Sequence, residues 1–111
     1  MASTFKNAGI AVPGTDGASA ELYSATGQAV IHALFISNHS NSAKAKVDVK
    51  VTIDGGSTWR HISKSAEIAM ENTLVIDKPI NLETGDKIRI IATMDDGSSP
   101  VCEAFASILE V

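Results

Sequence analysis

A single cysteine, Cys102, stands among 111 residues, so no internal disulfide framework can hold this chain together. That suits synthesis in a reducing compartment. Aromatic residues make up 5% of the chain, and the core must therefore come from Val, Ile, Leu and Ala, which pack sheets more than they stack on ligands. Only two arginines occur, Arg60 and Arg89, and nine basic against thirteen acidic side chains leave a net charge of −4. Nucleic-acid binding needs clustered cations to displace counterions; no such cluster exists, which argues against that partner. No apolar run approaches the roughly 18 residues of a membrane helix, which argues against a membrane partner. Lys6, Asn7, Gly9, Pro13 and Asp16 interrupt the first twenty residues where a signal peptide would need an apolar stretch. No segment sustains a 3.6-residue apolar period.

What is present is period two. From Lys44 to Asp54 the even positions carry Lys44, Lys46, Asp48, Lys50, Thr52 and Asp54, and the odd ones Ala45, Val47, Val49, Val51 and Ile53. That alternation predicts a strand with one buried and one wet face. Gly55-Gly56 breaks it and a second strand begins at Trp59, the pattern of a hairpin. Leu74-Val75-Ile76 is a short apolar run, Leu82–Asp86 a turn, and Lys87–Met94 a strand with Ile88, Ile90, Ala92 and Met94 on one face. Asp95–Pro100 is a turn cluster. In the last strand Cys102, Ala104, Ala106 and Ile108 oppose Val101, Phe105, Leu109 and Val111.

Towards the N-terminus, Thr4–Val12 reads as an arm or edge strand, Pro13–Gly17 as a loop, and Glu21–Ser24 as a short strand. Ala29–Ser37 is apolar on both faces, with Ile31 and Phe35 expected on one and Val30, Leu34 and Ile36 on the other. A strand covered on both sides predicts that something packs on its outer face, either the N-terminal arm or another subunit. About eight short strands joined by Gly, Pro and Asp turns predict an all-β, antiparallel β-sandwich or jelly roll. The expected division is residues 1–20 as arm or edge strand and 21–111 as the sandwich. A chain of this length buries roughly 65% of its unfolded surface, enough for one core.

Chemistry is scarce. His32, His39 and His61 are scattered without metal-ligand spacing, and one cysteine cannot build a zinc site. Asp95-Asp96-Gly97 lacks the spacing of a calcium loop. Cys102 carries no signature of an activated thiol, and no phosphate loop, nucleophile elbow or dinucleotide fingerprint occurs. Thr52-Ile53-Asp54-Gly55-Gly56-Ser57-Thr58-Trp59 fits the Asp-box pattern of sialidase-like propellers. There it is a structural hairpin repeated once per blade; here it occurs once and predicts a turn held by Asp54, with Trp59 packed beneath it. No catalytic, cofactor-binding or metal-binding residue is expected.

Three stretches together resemble a family of small β-sandwich virion proteins of tailed bacteriophages: Glu21–Ala25 with Gln28–Asn38, Thr73–Ile88, and Glu103–Glu110. The resemblance covers about residues 20–111, and the order of all three blocks matches. The Asp-box-like hairpin and the Asp95–Pro100 turn are not features of that pattern. The resemblance implies a non-catalytic capsid decoration (cement) protein, or a neck or tail component, made in the host cytoplasm and carried in the virion. It implies a homo-oligomer, a trimer most readily, bound to the major capsid protein or another virion protein. A carbohydrate- or host-surface-binding module is the alternative; sugar sites want exposed aromatics, and only Trp59 and Tyr23 are expected to be available.

Overall fold

The computed structural model describes residues 3–17 and 20–111. Residues 1, 2, 18 and 19 of the expected N-terminal segment lie outside that range. Among the described residues there are nine strands and no helix: β1 (Thr4–Ala11), β2 (Glu21–Ser24), β3 (Ala29–Asn38), β4 (Ala45–Thr52), β5 (Arg60–Ile68), β6 (Thr73–Ile76), β7 (Ile80–Leu82), β8 (Lys87–Met94) and β9 (Cys102–Glu110). They form two antiparallel sheets. One runs β1-β9-β3-β6, with β7 also on β3; the other runs β2-β8-β4-β5.

β6 pairs with Leu34–Ser37 and β7 with Ala29–Ile31, so the two behave as one edge strand interrupted between Ile76 and Ile80. Pro79 lies in that gap, and a residue without an N–H weakens a ladder there. Counting β6 and β7 as one leaves eight strands. Successive strands change sheet at every connection except the β4–β5 hairpin. This is a double-sheet jelly roll.

The expected alternations place the core. Ala45, Val47 and Val49 of β4 and Ile88, Ile90, Ala92 and Met94 of β8 are buried against Leu34 and Ile36 of β3 and Cys102, Ala104, Ala106 and Ile108 of β9. Tyr23 is the one buried aromatic, and its hydroxyl donates to the carboxylate of Glu110 across the two sheets.

Three expectations need correcting. Ile31 is fully buried and belongs with Leu34 and Ile36, whereas Val30 shares the outer face with Phe35. The cause is a β-bulge at His32: the pairing of β3 with β9 shifts between Ile31 and Ala33, and one extra residue flips the face of everything before it. Ile53 is not on the buried face of β4. The strand ends at Thr52, and Ile53 is 72% exposed in the turn that follows.

A third irregularity pins β5. Its register against β4 shifts around Asp48, where Ser65 takes a left-handed φ of 52° and its N–H donates to Asp48 Oδ1 at 2.7 Å. Asp48, expected as part of a solvated face, thus holds a bulge.

Candidate interaction surface

The outward side chains of the five-stranded sheet fall into rows crossing the strands, because strand alternation puts every second residue on that face. Register sets one row as Gly9, Phe105, Phe35 and Val75 on β1, β9, β3 and β6. A second row is Phe5, Leu109, Val30 and Asn81 on β1, β9, β3 and β7. Between them run Asn7, Ser107 and Ala33, small or polar. The chain has three phenylalanines, and all three stand in these two rows rather than in the core.

Phe5 is 78%, Val75 50% and Phe105 44% exposed. Phe35 leans on Phe105 with ring centres 6.5 Å apart and a tilt of 39°, a favourable aromatic geometry. The ring of Phe5 lies 6.1 Å from that of His32, so the bulge residue projects onto the same face. Beside Phe105 the sheet holds an open hollow of about 520 Å³, floored by Gly9, Ala11 and Phe35 and rimmed by His39 and Glu103. Glu103 and His39 are 2.8 Å apart, and the Ser37 hydroxyl is 3.0 Å from the same ring nitrogen. β1 lies at the sheet edge, paired residue for residue with β9 from Thr4 to Ala11, and so leaves this face uncovered. Each phenylalanine left in water forgoes roughly 1.5–3 kcal/mol of burial. A run of such residues on one face marks an interaction site.

The outer surface of the other sheet has the opposite character. Asp16 accepts from Lys50 at 2.7 Å and contacts Arg89 at 3.4 Å; the bond from Lys50 holds its carboxyl below the usual carboxylate range. Arg89 in turn lies over the Trp59 ring at 3.8 Å, a cation–π contact. Lys44–Glu67 and Lys87–Glu21 add exposed pairs. One face is charged and the other apolar.

The residues weighed for chemistry are not brought together. His32 faces the apolar surface, His39 meets Glu103, and His61 Nε2 lies 3.7 Å from Asp48. Among the described residues no three His, Cys, Asp or Glu side chains gather as metal ligands would. Cys102 is buried, and burial pushes its thiol pKa up, the opposite of an activated nucleophile. Asp96 accepts from the Ser98 amide at 3.0 Å within its own turn. In the Asp-box-like hairpin, Asp54 Oδ1 accepts from the Thr58 amide at 2.9 Å and the Thr52 hydroxyl at 2.8 Å, as the motif predicts. The ring of Trp59 also carries Arg89, a residue far away in sequence. Asn38, buried and wholly unsignalled, donates to the carbonyls of Ala43 and Ile68 at 3.0 and 3.2 Å.

No protein-family model matches the chain, and no curated protein matches it. Solved structures do. A chain of the T13 particle of infectious bursal disease virus (IBDV) superposes with a TM-score of 0.54 at 10% identity, over 96% of this chain and 30% of the viral one. A chain of the Gx strain of that virus gives 0.55 at 10% identity, over 98% and 32%. What is shared is the fold. This chain spans about a third of the length of those viral chains.

Proposed function

We propose that this chain is a virion structural protein of a tailed phage: a decoration (cement) protein that oligomerises and binds the protein shell without catalysis. The observation that carries the reading is the placement of all three phenylalanines on the outer face of one sheet of a jelly roll. A domain that builds its core from aliphatic residues and spends its phenylalanines on the surface is built to be covered by protein. The fold shared with virus-particle chains and the sequence resemblance to phage virion proteins support the same setting. The resemblance favours a trimer.

A sugar-binding role fares worse on the same surface. The two aromatics expected to serve a glycan are not free to do so, since Trp59 is capped by Arg89 and Tyr23 is buried. The test is reconstitution. Shells prepared without this protein should bind it saturably and gain thermal stability. Shells that take up none at any concentration would overturn the proposal.

A further inference from the structure

The two apolar rows are related in a way that fits a second copy of this chain. This inference deepens the proposed role by naming what covers the face. Phe5 is the most exposed large apolar side chain, and Gly9 is the only position in either row without a side chain. The two residues lie four apart on β1, about 13 Å along the strand, with the row of Asn7, Ser107 and Ala33 midway between them. A two-fold axis lying in the interface along that middle row exchanges the outer rows. It sets the partner's Phe5 opposite Gly9, Leu109 opposite Phe105, and Val30 opposite Phe35. Asn81 falls opposite Val75. Phe5 alone meets a recess, the other pairs set side chain against side chain, and each contact occurs twice, as an isologous interface requires.

Gly9 has no left-handed φ, and a Cβ there would meet only the Ala104 carbonyl oxygen at 3.6 Å and the Phe105 ring at 3.9 Å. The backbone therefore does not need glycine at this point. What its missing side chain does is open the hollow beside Phe105. We infer that the outer face of the five-stranded sheet pairs two copies of this chain face to face, Phe5 of each seated in the hollow over Gly9 of the other.

The area is adequate but small. Eight residues of strand by four strand positions, at about 3.3 and 4.8 Å spacing, give on the order of 500 Å² per copy. Two copies bury about 1,000 Å², the lower edge of specific interfaces. The pair should therefore dissociate on dilution. With this face paired, the phenylalanines carry the oligomerising half of the proposed role, and the shell contact falls elsewhere on the molecule.

Sedimentation of the full chain across a concentration series tests this, with Phe5→Ser and Gly9→Leu as paired variants. Both should remain folded, since Phe5 is exposed and position 9 accepts a side chain, and each should weaken self-association at least tenfold. Gly9→Leu is the discriminating variant. A merely sticky face would associate more strongly with an added leucine, whereas a filled hollow cannot receive Phe5. Mixing the two variants, one keeping the hollow and the other the projection, should restore part of the association. A wild-type chain that stays monomeric at the highest concentration, or Gly9→Leu that associates as well as wild type, would overturn the inference. Incorporation into particles, measured separately on the same variants, tells this failure from failure of the virion role itself. A protein that is monomeric yet bound to shells loses only the pairing.

Discussion

Tyr23 on β2 and Glu110 on β9 join the two sheets: the phenol donates to the carboxylate, which also lies 3.6 Å from Lys6 on β1. Burial, with the adjacent Glu110 charge and hydrogen bond, pushes the Tyr23 pKa up to about 12. A raised pKa means that the folded protein keeps a proton the unfolded chain gives up. Its stabilisation is thus complete below about pH 10 and lost as pH climbs towards 12. Thermal unfolding of wild type and Tyr23→Phe should differ by about 1–2 kcal/mol at neutral pH, and the gap should close in that alkaline window. A gap independent of pH would mean that the phenol is neither buried nor bonded in this way.

The hairpin after β4 makes a different prediction. Thr52 is fully buried, and its hydroxyl accepts from the Gly56 amide at 3.0 Å while donating to Asp54. Thr52→Val keeps the shape and strands the Gly56 N–H, a loss of about 1–2 kcal/mol by chemical denaturation.

Asp54 responds to pH in the opposite sense from Tyr23. Its carboxyl is held below the ordinary range, chiefly by the Thr58 amide and then by the Thr52 hydroxyl. Its stabilisation is present above the unfolded value near 3.8 and fades as pH falls through the folded one. Asp54→Ala should therefore be less stable than wild type at pH 7, with the two curves converging on acidification below pH 4. Parallel curves down to pH 2 would contradict the turn geometry.

Asn38 should be the most sensitive polar position. It ties the end of β3 to the loop before β4 and to the end of β5, and its Oδ1 accepts from the Ser40 amide at 3.0 Å. Asn38→Ala leaves buried carbonyls and an amide without partners, at about 1–3 kcal/mol for each stranded group. A loss of about 3 kcal/mol or more is expected in denaturant unfolding.

These positions divide by how they could be read in advance. Buried faces of β4, β8 and β9 were legible because alternation reports which side of a strand is dry. The Asp54 turn was legible because its bonds are local. The face of Ile31 was not, since nothing in Ala29–Ser37 marks a bulge at His32, and a one-residue slip inverts the assignment. Asn38-His39-Ser40 has the composition of an ordinary turn; its burial comes from strands distant in sequence. Arg89 over Trp59 was hidden for the same reason. The apolar face itself was half visible: two-sided apolarity in β3 was plain, but that Phe5, Phe35 and Phe105 share one surface depends on register across three strands.

Truncation addresses the N-terminal segment. Removing residues 1–12 deletes β1 and the buried Val12, and bares the full length of β9 as an open edge. Unpaired edges recruit other chains, so the shortened protein should aggregate on expression, read as the soluble fraction. A soluble, folded product would identify β1 as a dispensable arm.

Copy number in purified particles bears most directly on the virion role. Quantitative mass spectrometry of virions produced from the genome that encodes this chain should find it in a fixed, multiple-copy ratio to the major shell protein. Its absence from purified particles, with the protein abundant in the infected cell, would contradict a structural place in the virion.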